Sequence, residues 1–172
     1  IGNTIKFEIG NLYSADSQIF MNESGKILIA WMEYNADESK SIFAQMFSSD
    51  FTAIGKRILL KNETENLYIG SYSISLDNLN NFIFAWKEWK SGTPKLLIQR
   101  FSELGEKIGI EVNVIDNNAG NTNPCAITIA NDSRGNFITT WFDFRNSIYL
   151  VDVSAQIFNK EGEKIGNNFK IN

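Results

Sequence analysis

Three tryptophans, Trp31, Trp86 and Trp141, lie 55 residues apart along the chain. Each opens a tetrapeptide of the form Trp-x-acid-aromatic, written WMEY, WKEW and WFDF. A fixed period of this length is the signature of architectures in which one supersecondary unit packs on copies of itself. The 172 residues are therefore predicted to fold as three copies of one unit.

Further positions recur in register with the tryptophans: an acid, the glutamine of an Ala/Ile-Gln-x-Phe signature, and a glycine eight residues beyond its Phe. These positions are Glu33, Glu88, Asp143, Gln45, Gln99, Gln156, Gly55, Gly109 and Gly166. Residues that recur in every repeat mostly serve packing within and between repeats. We therefore expect structural roles: buried tryptophans, acids that accept backbone N–H bonds in turns, and glutamines bonded to a neighbouring strand.

Hydrophobicity alternates with period 2 within each copy, which predicts β-strands, and no segment has helical periodicity. Both faces of residues 137–144 are largely apolar, as expected of a strand in a sheet packed between two others. Four strands per copy are predicted, with repeat boundaries at 11–62, 63–117 and 118–172 in a single repeat domain, 1–172. Residues 1–7 align with residues 165–171 at the end of the third copy, which predicts an extra fourth strand over residues 1–10.

The repeat resembles tandem repeats of bacterial secreted and surface proteins, which combine W-x-D/E, A-Q-x-F and G-x-x-F-x-V-N. The third copy matches best, over residues 135–146 and 154–172. The resemblance implies β-propeller-like blades in the style of sialidases, although the sialidase Asp-box is absent. The expected fold is all-β: three four-stranded antiparallel blades plus the N-terminal strand. A β-trefoil, which also has three four-stranded repeats, is the alternative.

Composition excludes several functional classes. The chain has no histidine and one cysteine, so it has no His-based triad, imidazole metal site or intrachain disulfide. A net charge of −4 offers no basic face for nucleic acid. No apolar run approaches the ~20 residues that span a bilayer. We therefore predict no cofactor, no metal site, no nucleic-acid partner and no membrane insertion.

The repeat without a catalytic motif favours a non-enzymatic structural or interaction module, secreted or on the bacterial cell surface. A carbohydrate-binding, lectin-like module is the alternative, and a glycosidase-type propeller fragment is the third hypothesis. Expected partners are other copies of the chain, the remaining blades of a larger chain, or glycans. The candidate binding residues are aromatic side chains near strand ends, which could stack on sugar rings: Tyr13, Tyr34, Tyr68 and Trp89.

Overall fold

A computed structural model describes residues 13–90, 92–116, 123–145 and 151–172, and within these ranges the ordered elements are β-strands. The strands are β1 (Tyr13–Met21), β2 (Ile27–Tyr34), β3 (Lys40–Phe47), β4 (Ala53–Asn62), β5 (Leu67–Leu76), β6 (Phe82–Lys90), β7 (Thr93–Phe101), β8 (Lys107–Asn113), β9 (Cys125–Asn131), β10 (Phe137–Asp143), β11 (Asp152–Phe158) and β12 (Lys164–Lys170).

The strands form three four-stranded antiparallel sheets, each in chain order. We call them blade 1 (β1–β4), blade 2 (β5–β8) and blade 3 (β9–β12). The expected all-β, blade-like fold is confirmed. Each repeat forms a sheet of its own, which favours blades over the trefoil alternative. The predicted extra strand, residues 1–10, lies outside the described residues.

The core lies between the blades. One hydrophobic cluster joins blades 1 and 2 and contains Met32 and Trp86. A second cluster joins blades 2 and 3 and contains Ala85 and Trp141. Trp86 and Trp141 are buried. Trp31 is only half-buried, contrary to the expectation for all three, because no described blade packs on its face of blade 1.

The recurring glutamine and glycine form one device in each blade. The Gln99 side-chain amide donates to the carbonyl of Ile108 at 3.1 Å, where the pairing of β7 with β8 shifts register. Gly109 follows with φ of 71°, a left-handed conformation that glycine adopts without steric cost. Gln45 and Gln156 make the same bond in the other blades. The side chain thus satisfies a carbonyl that the bulge removes from the ladder.

The first strands of the three blades lie next to one another. Gln18 of β1 donates to the carbonyl of Tyr72 at 2.9 Å and accepts from the backbone N–H of Ile74 at 3.1 Å. This amide acts like a strand residue pairing β1 with β5 across the blade boundary. We call the end of the molecule at which β1, β5 and β9 begin the entry end.

Candidate functional site

Two aromatic pairs lie at the entry end. Tyr13 is opposite Tyr34 in the β1–β2 pairing, and their rings stack with centroids 4.2 Å apart. Tyr68 is opposite Trp89 in the β5–β6 pairing, with centroids 5.4 Å apart and the rings tilted. The four aromatic residues singled out in the sequence thus form one cross-strand pair in each of blades 1 and 2.

The second pair borders an open cleft of about 700 Å³. Tyr68 and Trp89 supply its aromatic wall, and Tyr68 is 50% exposed. Its polar wall comes from the β2–β3 turn, residues 37–40, and from the connection between blades 1 and 2, residues 63–66. An aromatic surface beside convergent polar groups is the usual composition of a small-ligand site.

Lys40 and Glu63 hold the two walls together. The Lys40 ammonium lies 4.0 Å from the centroid of the Tyr68 ring and 3.5 Å from Glu63 Oε1. Glu63 also accepts backbone N–H bonds from Lys40 at 3.0 Å and Ile69 at 2.8 Å. Burial alone would lower the pKa of Lys40, because it disfavours the charged ammonium. The interactions with Tyr68 and Glu63 favour the charged form more strongly, and the pKa of Lys40 is raised. Lys40 therefore stays charged and fixes the turn of blade 1 against Tyr68.

The cleft wall is acidic overall. Its described lining residues include the acids Asp37, Glu38, Glu63 and Glu65 and the base Lys40. Hydrogen bonds from the side chain and backbone of Ser39 hold the pKa of Asp37 below its ordinary value. Glu63 is neutralised by its lysine, so the remaining acids present an excess of negative charge to a ligand.

The recurring acids lie elsewhere and are occupied by structural partners. Each accepts a hydrogen bond from the indole N–H of the tryptophan in its own copy, at 2.8, 3.0 and 3.3 Å for blades 1, 2 and 3. The sequence interpretation named backbone N–H groups as the partners, and among the described residues only Asp143 accepts such a bond, from Arg145 at 3.0 Å. A basic side chain completes each cluster. These pairs are Glu33 with Arg57, Glu88 with Lys61, and Asp143 with Arg145.

A second cavity, of about 390 Å³, lies where the three first strands meet. Asp16 contributes the carboxylate among its described lining residues. Asp16 has φ of 50°, an uncommon conformation for a non-glycine residue, and its carbonyl accepts a hydrogen bond from the Tyr72 hydroxyl. The sequence reasoning missed Asp16 because the repeat has Ser71 and Ala126 at the matching positions. That departure from the repeat is the signal that could have found it.

Among the described residues, no group of three or more His, Cys, Asp or Glu side chains is arranged to hold a metal ion. The described part of the chain also contains no helix with the length and apolar character needed to cross a membrane.

No protein-family model and no curated protein sequence matches the chain. Solved structures do match. A thermostable family-43 glycoside hydrolase has a TM-score of 0.59 and 13% identity over 93% of this chain. An endo-arabinase from Bacteroides thetaiotaomicron has a TM-score of 0.56 and 13% identity over 91% of this chain. An N-acetylgalactosamine deacetylase from F. plautii, in complex with blood group B trisaccharide, has a TM-score of 0.56 and 11% identity over 90% of this chain.

These matches correct the expectation of a non-enzymatic structural module, because the structures that share this fold are glycan-processing enzymes. The same matches contradict the prediction "not an enzyme", because the matched proteins carry enzyme names. At 11–13% identity the likeness establishes the fold. The chain spans 60%, 61% and 52% of the three matched chains, so activity and substrate are matters for proposal.

Proposed function

We propose that these blades belong to a glycoside-acting β-propeller enzyme and bind a neutral glycan in the cleft beside Tyr68 and Trp89. The observation that carries the proposal is this aromatic pair, half-exposed in an open cleft of sufficient size. The apolar C–H faces of sugar rings lose water contact when they pack on aromatic faces. Hydroxyl groups at the ring edges then find acceptors in the polar wall.

The acidic wall supports a neutral glycan over an anionic one. Like charges across a binding surface disfavour association, and Asp37, Glu38 and Glu65 face the cleft without a neutralising base among the lining residues that the structure describes. Glycan-processing neighbours in the structure comparison support the same ligand class. A polymeric or cell-surface glycan would be met outside the cell, so the proposal retains the secreted or surface location expected from the repeat.

Calorimetric titration with arabinotriose and with blood group B trisaccharide tests the binding proposal. We expect one of these neutral probes to bind, and trigalacturonate, an anionic trisaccharide of similar size, to bind more weakly. Tyr68→Ala removes half of the aromatic wall and is expected to lower the affinity roughly tenfold, from the usual strength of aromatic contacts.

Tyr13→Ala is the matched control, because it removes the same residue type from the equivalent pair in blade 1, and Tyr13 does not line the cleft. It should leave the affinity unchanged. Absence of binding by both neutral probes, or equal losses in the two variants, would refute the proposal.

The cavity around Asp16 is the proposed location of the chemistry. Glycoside hydrolysis commonly uses a pair of carboxylates, and the described lining of this cavity contributes one, so the second would come from elsewhere in the protein. In the protein that carries these blades, Asp16→Asn should lower hydrolysis of arabinan roughly 100-fold or more, measured as reducing-end release. Trisaccharide affinity should be retained. Unchanged hydrolysis would remove Asp16 from the mechanism.

A further inference from the structure

Three residues of blade 2 meet in space: Gly70, Lys87 and Trp89. Of these, Lys87 departs most from the other copies, because a charged side chain stands where blades 1 and 3 have apolar ones. A Cβ added at Gly70 would lie 3.2 Å from Lys87 Cδ and 3.2 Å from Trp89 Cζ3. The glycine therefore makes room for the other two side chains. In blades 1 and 3 the position of Gly70 holds Ala15 and Cys125, that of Lys87 holds Met32 and Phe142, and that of Trp89 holds Tyr34 and Phe144.

Lys87 lies between blades 2 and 3 with 4% of its surface exposed. Its ammonium is 3.8 Å from the centroid of the Trp89 ring and donates to Asn123 Oδ1 at 2.7 Å. Asn123 lies two residues before β9 of blade 3, at the repeat position that Tyr68 has in blade 2. The lysine thus connects the aromatic wall of the cleft to the neighbouring blade.

Packing at this position does not require a lysine. The equivalent Met32 is buried in the junction of blades 1 and 2, so an apolar side chain fills the same place. Among the described residues no carboxylate pairs with Lys87, and burial lowers the pKa of its ammonium. A buried cation without a counter-charge opposes folding, so its presence points to a role beyond packing.

We propose that Lys87 is a positioning residue, which holds the Trp89 indole in the orientation that binds glycan in the cleft. The inference rests on the proposed function of that cleft. A cation over one face of an indole is an attractive and directional contact. The Asn123 hydrogen bond fixes the cation, and the fixed cation then restricts rotation of the ring.

The test is Lys87→Met, which installs the residue that the repeat has at Met32. We expect the affinity for whichever neutral probe the wild type binds to fall roughly tenfold, the usual effect of losing a desolvated cation–π contact. The melting temperature should stay the same or rise, because a buried cation is replaced by an apolar group. A merely structural lysine would lower it.

Lys61→Met is the control. Lys61 also lies over a tryptophan, Trp86, at 4.8 Å, and it pairs with Glu88 at 2.9 Å, away from the cleft. This variant should melt at a lower temperature and bind the probe as the wild type does. Unchanged affinity in Lys87→Met would overturn the proposal, and so would a loss of affinity accompanied by a lower melting temperature.

A readout without ligand separates this inference from the proposed function. In protein labelled with 5-fluorotryptophan, the ¹⁹F resonance of Trp89, assigned with Trp89→Phe, should shift and broaden in Lys87→Met. A shifted Trp89 resonance with no probe bound by the wild type would reject the glycan site and leave the Lys87–Trp89 contact. An unshifted resonance would reject the positioning role itself.

Discussion

At the residue scale, the cluster around each repeated acid links folding to pH. Burial opposes the ionisation of Glu88, but hydrogen bonds from Lys61 and Trp86 outweigh it and hold its pKa below the ordinary value of 4.5. Burial is likewise outweighed at Asp143, chiefly by Arg145, and its pKa is also lowered. A depressed pKa contributes stability above the unfolded-state value, and this stability is lost as pH falls through the folded-state value.

Glu88→Gln should therefore destabilise the protein at pH 7 and make its melting temperature less sensitive to acid below about pH 4.5. Breaking one side of a buried ion pair costs about 3–5 kcal/mol, although the 21% exposure of Lys61 places the effect at the lower end. Thermal melts between pH 2 and 7 measure both effects. Glu106→Gln, at an exposed turn position, is the control. Equal acid sensitivity in Glu88→Gln and wild type would contradict the assignment.

At the scale of the strand, the bulge held by each glutamine explains why the glycines recur. Gly109 has positive φ and open space around its Cβ position, so conformation alone decides what fits. Gly109→Ala should lower the free energy of unfolding by about 1–2 kcal/mol, the cost of a left-handed L-residue. Gly109→Asn should cost less, because asparagine tolerates this region. Urea denaturation measures the difference, and equal losses would argue against a conformational origin.

The strand pattern could largely be predicted, because the same spacing is repeated three times. In blades 1 and 2 the alternation indicates only the second half of the first strand, residues 18–21 and 73–76, whereas β1 covers Tyr13–Met21 and β5 covers Leu67–Leu76. A register shift between Ala15 and Gln18 breaks the period of two and hides the first half of the strand. The alternation likewise indicates residues 57–61 for the fourth strand of blade 1, whereas β4 covers Ala53–Asn62 and its pairing with β3 also shifts register.

The candidate site could be predicted only in part. Tyr68 and Trp89 were visible as aromatics near strand ends, and the antiparallel register pairs them. The contribution of Lys40 and Glu63 depends on how blade 1 is placed against blade 2, which no local pattern specifies. Lys87 and Asp16 were not predicted, because each occurs in one copy only and the sequence prediction rested on residues that recur in all three.

At the scale of the whole molecule, each of the two end blades has one apolar face that is exposed. The equivalent faces are buried where blade 1 packs on blade 2. Ile19 of blade 1 is 62% exposed, whereas the equivalent Ile74 of blade 2 is fully buried against blade 1. On blade 3, Phe142 is 42% exposed, whereas the equivalent Met32 is 3% exposed. Because the blades are repeats, the exposed face of blade 1 should pack on the exposed face of blade 3 from another copy in the way that blade 2 packs on blade 1.

We expect residues 1–172 to self-associate through these faces, because other copies of the chain are among the expected partners. Light scattering should give a mass above that of the 19.5 kDa chain at micromolar concentration. Ile19→Glu places a charge in the face and should restore the monomer. Ile110→Glu, at a position 82% exposed on β8, should have no effect. A wild-type monomer at every concentration would contradict the expectation. Deleting residues 1–9 tests separately whether the predicted N-terminal strand takes part.

The central claim is that the cleft beside Tyr68 and Trp89 binds a neutral glycan, and the chain offers a direct way to test it. Four tryptophans give four indole N–H signals in a ¹⁵N correlation spectrum, and of these residues Trp89 lines the cleft. During titration with arabinotriose or blood group B trisaccharide, the Trp89 signal should shift with saturation while those of Trp31, Trp86 and Trp141 stay in place. A Trp89 signal unmoved by both sugars would contradict the account.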